Sequence, residues 1–310
     1  MDGIFFLLLA FLTIFASIKL SYYGDILSKQ SKIGTAFIGG LLIASITSLP
    51  EFSTSISAVE FNNPTLSLGD IVGSNMFNIF VLAAYNIYFF KSDLFKNVSR
   101  KHLIECIILI IDYFLIILGT NNVFVPKISI ALIIMYIIYM FFVFKSNNKE
   151  EQCTISKQNN VILKFVVMAI IMVILSIFLT YEADKISRLY PNFSSSSIGA
   201  ILLGITTSLP EVVTTFALIR LDNCDMAFSN MLGSNIFNFL VLAISDFLIK
   251  EDFIYNFSDK YGFFYLSGGI LITIILCLLI GFKSKNKIYY LALSIMITLI
   301  YLYVWYLQFN

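Results

Sequence analysis

Long apolar runs alternate with short polar or charged breaks along the whole chain. The plainest runs are Ile4 to Leu20, Leu103 to Gly119, Val161 to Thr180 and Ile288 to Leu307. A bilayer's hydrocarbon core is about 30 Å thick and takes roughly 20 apolar residues per helical crossing. The pattern predicts an all-α polytopic membrane protein with ten spans, near 4–22, 33–60, 66–90, 102–119, 125–144, 161–183, 196–220, 226–249, 261–281 and 287–308. The first run follows Met-Asp-Gly, which has no basic n-region, and it is too long for a signal-peptide core, so it reads as the first span.

Shifted by 160 residues, the chain aligns to itself without a gap. Thr47 to Glu51 ("TSLPE") match Thr207 to Glu211 at all five positions, and "GSNMFNIFVLA" from Gly73 matches "GSNIFNFLVLA" from Gly233 at eight of eleven. Ile38 and Gly39 likewise match Ile198 and Gly199. Chance likeness between apolar helices would preserve Leu, Ile and Phe, whereas here Thr, Ser, Pro, Glu and Asn are preserved. The expected organisation is a first five-helix repeat (1–145), a cytoplasmic linker (146–160) and a second five-helix repeat (161–310). Five spans is an odd number, so the second copy enters the membrane inverted, an architecture recurrent in secondary transporters whose site lies at the midplane between halves.

Composition narrows the class. Of 310 residues, 59% are hydrophobic and 13% charged, and the net charge of +1 gives nucleic acid no basic face to bind. Lys and Arg crowd the odd-numbered connections; only Lys127, Lys185, Arg188, Lys250 and Lys260 lie on the other side. By the positive-inside rule both termini are extracellular in a multi-pass protein of the cell membrane. The cysteines (Cys106, Cys153, Cys224, Cys277) form no CxxC pair and read as packing residues. His102, beside Arg100 and Lys101, reads as interfacial.

The chemistry concentrates in the repeated motifs. Pro50 and Pro210 lack an N–H and release the carbonyls of Ile46 and Thr206, and such breaks occur in lipid only where protein, water or an ion satisfies the freed group. Glu51 and Glu211 sit mid-span, where an acidic residue costs about 2.5–3.5 kcal/mol. A protonated, hydrogen-bonded glutamate is one explanation; a cation ligand is the other, and helical spacing favours it. Thr47, Ser48, Glu51 and Ser55 share a face, as do Thr207, Ser208, Glu211 and Thr215. Ser74 and Asn78 lie four apart on the third span, Ser234 and Asn238 on the eighth, and each Glu precedes its Asn by 27 residues. Gly73 and Gly233 permit close helix approach. Two inverted halves would bring these faces together as an all-oxygen environment without His or Cys, which suits hard cations such as Ca²⁺ and disfavours soft metals.

"TSLPE" and "GSN-x-x-N", once per half, resemble the sodium/calcium exchanger family of the calcium/cation antiporter superfamily, in its prokaryotic type without regulatory domains. The resemblance spans the chain and implies an antiporter, not an enzyme. It exchanges Ca²⁺ for Na⁺ by alternating access and needs no cofactor or obligatory protein partner. It also implies roles. Glu51 and Glu211 are the central ligands shared by both ions, and Thr47 and Thr207 lend carbonyl and hydroxyl oxygens. Ala44 and Gly204 lend carbonyls to flanking sodium sites that Ser74 and Ser234 line. Asn78 and Asn238 hold the middle position, and the first and sixth spans slide across the other eight. Many relatives carry an aspartate at one middle position; asparagine at both leaves a charge of −2 on the ions, which points toward near-electroneutral exchange.

Other readings remain open. A Ca²⁺/H⁺ antiporter could use the same glutamates as proton carriers, although the glutamate-bearing motif usual in proton-coupled relatives is absent. A cation channel would need an axis of oligomeric symmetry. An intramembrane hydrolase lacks HExxH, GxSxG or a supporting dyad. Asp112 in the fourth span reads as a buried hydrogen-bonded acid or an accessory proton site, and Asp70 and Asp246, near span ends, as solvated interfacial groups.

Overall fold

The computed structural model describes residues 2–30, 43–90, 98–120, 125–146, 160–190, 193–221, 223–249, 254–255, 260–284 and 286–307. Among these residues the chain is helical, with no strand. The helices are α1 (Asp2–Gln30), α2 (Ile43–Thr47), α3 (Leu49–Glu60), α4 (Pro64–Tyr88), α5 (His102–Thr120), α6 (Val125–Ser146), α7 (Val161–Leu189), α8 (Ser195–Ile198), α9 (Gly204–Arg220), α10 (Cys224–Asp246), α11 (Lys260–Gly281) and α12 (Lys287–Tyr306). A π-helical turn, Gly199–Leu203, joins α8 to α9. Eight helical stretches are long and apolar enough to cross a membrane, the α8–α9 stretch counted as one; the apolar part of α6, Lys127–Val143, is shorter. The chain is a multi-pass helical membrane protein. The start of the second expected span (33–42) and nearly all of the expected linker, Cys153 included, lie outside the described residues.

Local chemistry sets several helix ends. Asn63 caps α4 by accepting a hydrogen bond from the Leu66 amide (3.2 Å), and Pro64 follows at the first helical position. Asn223, its counterpart 160 residues on, caps α10 through the Met226 amide (3.3 Å). Helices α1 and α7 are each 29 residues long. At 1.5 Å per residue that is about 43 Å, well beyond the roughly 30 Å of hydrocarbon, so they overrun the expected spans and must tilt or project.

Packing divides the molecule. The main apolar core, centred on Ile71, Met76, Tyr113, Phe228, Phe239 and Leu276, contains no residue of α1 or α7. Those two helices pack along each other and meet the rest through two smaller clusters, one around Leu66, Leu179 and Leu203 and one around Leu20, Ile46 and Met172. Their outer faces present Phe11, Phe15, Ile170 and Phe178 to the surroundings, as a lipid-facing pair would. Two buried threonines of this pair bond within their own helix, Thr13 to the Leu9 carbonyl (2.9 Å) and Thr180 to that of Ser176 (2.8 Å). A polar tie holds the C-terminal end of α7. Asn63 donates to Asp184 Oδ1 (2.8 Å), and Arg188 donates both to Asp184 Oδ2 (2.9 Å) and to the Phe61 carbonyl (3.2 Å).

At the centre, α4 crosses the α8–α9 stretch at backbone contact. A methyl group on Gly73 would overlap the backbone of Ala200, and one on Gly199 would overlap the Leu66 carbonyl. Small residues are what allow helices to close to that distance. Gly73→Val should therefore force the crossing apart at an overpacking cost of roughly 1–3 kcal/mol. The expected outcome is a lower apparent Tm in a detergent melting assay, with no comparable loss for Gly3→Val, where nothing lies within 4 Å.

Candidate functional site

The two "SLPE" segments fold differently. In the first, the helix is interrupted at Ser48 (φ −88°, ψ 11°) and restarts at Leu49. Pro50 thus falls in the first turn of α3, where a missing N–H costs nothing. Glu51 also lies in that first turn, at the positive end of the helix, which favours a carboxylate. In the second, Pro210 sits inside the unbroken helix α9, and the irregularity moves upstream to the π turn before Gly204. The repeat predicted two equal breaks. At the proline itself the structure breaks the first segment and leaves the second continuous.

Glu51 and Glu211 are 1% and 0% exposed. Each is held by the other half: Ser208 Oγ donates to Glu51 Oε1 (3.0 Å), and Ser48 Oγ donates to Glu211 Oε1 (3.2 Å). The two carboxylates are close enough for their charges to act on each other. Among the described residues no Lys, Arg or His forms an ion pair with either.

The α4–α10 contact repeats this reciprocity. Asn75 Nδ2 donates to the Asn235 carbonyl (3.1 Å) and Asn235 Nδ2 to the Asn75 carbonyl (3.0 Å). Asn78 Nδ2 donates to Asn235 Oδ1 (2.8 Å) and Asn238 Nδ2 to Asn75 Oδ1 (2.9 Å). These bonds assign the amide orientations and turn each middle asparagine so that its nitrogen is engaged. Four buried oxygens are then left with no hydrogen-bond partner among the described residues: Glu51 Oε2, Glu211 Oε2, Asn78 Oδ1 and Asn238 Oδ1. They form two pairs related by the 160-residue shift. All four are acceptors, and a buried acceptor without a donor costs roughly 1–3 kcal/mol, more if charged.

The remaining expected residues surround them. Thr47 Oγ1 lies 3.5 Å from Ser234 Oγ, and Ser234 Oγ lies 3.4 Å from Glu211 Oε1. Ser74 Oγ lies 3.5 Å from Thr207 Oγ1 and 3.2 Å from the Gly204 carbonyl oxygen. Thr47, Thr207, Ser48, Ser208, Ser74 and Ser234 are all buried. Ala44 belongs to α2, and its side chain is outside the described set. Ser55 and Thr215 take structural parts instead. Ser55 bonds Ser67 (2.5 Å) and Ser245 (2.9 Å), and Thr215 accepts from Asn230 (3.1 Å).

Three expectations change. Asp70 is not solvated at an interface but wholly buried, bonded by Thr54 Oγ1 and facing Thr207 Oγ1 at 3.4 Å. Asp246 is 7% exposed and ties Ser129 (2.6 Å) and the Ile254 amide (3.0 Å) together. Asp112 is buried, but its Oδ1 has no hydrogen-bond partner among the described residues. His102 bridges two helices, contacting Glu105 (2.6 Å) and Asp225 (3.3 Å). The clasp residues Asn75 and Asn235 were missed as site residues, though the preserved "GSN" was their signal.

Among the described residues, eight helical stretches long and apolar enough to cross a membrane pack around a buried set of oxygen acceptors, which fits a polytopic membrane protein of the transporter class. The family model for the sodium/calcium exchanger protein matches residues 3–145 and 160–310, and the chain belongs to that family, whose members are transporters of the cation/calcium antiport class and not enzymes. It is 26% identical over 228 residues to the uncharacterized membrane protein MJ0091 of Methanocaldococcus jannaschii, covering 70% of this chain and 74% of that one. Two solved structures share the fold. The sodium–calcium exchanger NCX_Mj gives a TM-score of 0.61 at 22% identity, covering 95% of this chain and 97% of the other. The H⁺/Ca²⁺ exchanger CAX gives 0.65 at 11% identity, covering 97% and 87%.

Asn75→Ala removes the acceptor of Asn238 and half of the α4–α10 clasp. It should lower the apparent Tm by more than Asn86→Ala, whose bonds to the Tyr290 carbonyl (3.3 Å) and Ser294 (2.9 Å) lie away from this site, as read by parallel detergent melting curves.

Proposed function

We propose that the protein exchanges Ca²⁺ for Na⁺ across the cell membrane at one shared site. The observation that carries this reading is the set of four buried, unpartnered oxygens on Glu51, Glu211, Asn78 and Asn238. On this reading two carboxylates and two amide oxygens, joined by Thr47, Thr207, Ser48, Ser208, Ser74, Ser234 and the carbonyls of Ala44 and Gly204, supply hard oxygen ligands only. Ca²⁺ takes about 6–8 such oxygens at roughly 2.3–2.6 Å, and Na⁺ is of similar size. The ions are cargo; no cofactor enters the cycle.

The same observations support the finer architecture. Bonds that map onto each other at a shift of 160, Ser48 to Glu211 with Ser208 to Glu51 and Asn75 to Asn235 with its reverse, are what two inverted five-helix repeats (1–145 and 161–310, joined by 146–160) would produce. On this reading the chain makes ten crossings, with both termini outside. The separation of α1 and α7 from the main core, and the Thr13 and Thr180 hydroxyls satisfied within their own helices, support a pair that slides while the body stays fixed.

Coupling follows from charge. Unloaded, the site holds carboxylates with no cation among dehydrated helices, which opposes passage between inward-open and outward-open forms. Loaded, it is neutralised, and Ca²⁺ and Na⁺ exclude each other because they need the same two carboxylates. Proton exchange at the same glutamates is the competing reading, since the fold is shared with an H⁺/Ca²⁺ exchanger.

Glu51→Gln and Glu211→Gln should each reduce ⁴⁵Ca²⁺ uptake into proteoliposomes to background, and near-normal uptake by either variant would contradict the shared site. Imposing Na⁺, K⁺ and H⁺ gradients separately on the wild-type protein should give uptake driven by Na⁺ alone. Uptake that follows the H⁺ gradient at fixed Na⁺ would assign proton coupling instead.

A further inference from the structure

We infer that Cys106 and Cys277 form a redox-modification site, a thiol pair across α5 and α11 that peroxide converts to a disulfide. Cys277 is the thiol attacked first, and Cys106 resolves it. This chemistry is separate from the ion exchange proposed above.

No local spacing pairs the two residues; helix packing does. Helices α5 and α11 pack along each other within the main core. Three contacts set their register. Lys283, just beyond α11, donates to the Val98 carbonyl, just ahead of α5. A methyl group on Gly281 would lie 3.5 Å from Leu103 Cδ2, and one on Gly269 would overlap the Tyr113 ring. Residues 98, 103 and 113 thus face 283, 281 and 269, which is an antiparallel pair. Between the last two contacts Cys106 stands opposite Cys277. The two thiols are hydrogen-bonded to each other, and neither is bridged in this structure.

Exposure gives the two sulfurs different parts. Cys106 is 0% exposed, whereas Cys277 is half-buried. Each lies about one turn from a helix end. Arg100 and Lys101 precede α5, and Lys283 follows α11, so the pair sits near a charged boundary and not at mid-depth. Beside Cys277, the Leu278 carbonyl accepts a hydrogen bond from Tyr289 Oη (3.2 Å), a residue type enriched where bilayer meets water. An accessible cysteine next to a resolving one is the arrangement that oxidants modify selectively.

The reaction balances with peroxide as the oxidant. Cys277, as thiolate, attacks one peroxide oxygen. The O–O bond breaks, hydroxide leaves and takes up the thiol proton as water, and Cys277 becomes a sulfenic acid. Cys106 then attacks Cys277 Sγ. The S–S bond forms, the S–O bond breaks, and the departing hydroxide takes the Cys106 proton as a second water. The two sulfurs lose two electrons in all, and the peroxide gains them. An external dithiol reverses the change by thiol–disulfide exchange. The link joins two helices of the body and involves neither α1 nor α7. It backs the central clasp, because Tyr113 of α5 packs edge-on against Phe239 of α10 (ring centroids 4.8 Å apart).

The test is peptide mapping by mass spectrometry of the full-length protein in detergent, before and after hydrogen peroxide, with dimedone as the sulfenic-acid probe. Wild type is expected to yield a Cys106–Cys277 cross-linked peptide that dithiothreitol releases, while Cys153 and Cys224 remain alkylatable. Cys106→Ala should take up dimedone at Cys277, since nothing resolves the sulfenic acid. Cys277→Ala should leave Cys106 a thiol. Absence of the 106–277 link in peroxide-treated wild type overturns the inference. So does a link through Cys153 or Cys224 in its place, and so does dimedone on Cys106 in Cys277→Ala. The wild-type map decides even if a variant does not fold.

Discussion

Buried carboxylates with no basic partner among the described residues, inside a bundle made to sit in lipid, are the constraint on which everything else in this structure depends. Glu51 and Glu211 are dehydrated and receive one serine hydroxyl each from the opposite half. A hydroxyl hydrogen bond to a charged group is worth about 1.5–3 kcal/mol, which does not offset the loss of water around an ionised carboxylate. Ionised, the pair needs a cation; neutral, it needs protons. Either way, the state of the site is bound to what occupies it, and a transporter requires that dependence.

The surrounding fold serves to hold acceptors toward that point. Backbone-close packing of α4 on the α8–α9 stretch, made possible by Gly73 and Gly199, brings Ser74 beside Gly204 and Thr207. The Asn75–Asn235 clasp fixes the faces of α4 and α10 and uses up the amide nitrogens of Asn78 and Asn238, so their oxygens remain as acceptors. A hydrogen-bonded polar centre thus coexists with an outer pair, α1 and α7, that meets the body through small apolar clusters and the Asn63–Asp184–Arg188 tie. Apolar seams tolerate sliding better than hydrogen-bonded ones, since no donor must lose its acceptor on the way.

Much of this was legible in the sequence because the chain carries two copies of the same unit. Lipid-facing positions drift between copies, so the polar residues preserved at a 160-residue shift, Glu51 with Glu211 and Asn78 with Asn238, stood out as the buried set. What the shift could not reveal was anything belonging to one copy alone. Asp70 is matched by Asn230, and its partners lie 16 and 137 residues away, so no local spacing announced it. The π turn at Gly199–Leu203, where α4 presses on that segment, does not show in its own apolar pattern. Ser55, on the face of Glu51 by helical count, turned out to bind Ser67 and Ser245, since one turn beyond Glu51 that face meets hydroxyls of α4 and α10.

The central claim is that one dehydrated ion is shared by both glutamates. Long-wavelength anomalous diffraction from crystals grown with Ca²⁺ measures this directly. The account requires a single calcium peak within roughly 2.3–2.6 Å of carboxylate oxygens from both Glu51 and Glu211. A peak held by one glutamate alone, or a pair of glutamates bonded through a proton with calcium elsewhere, would contradict it.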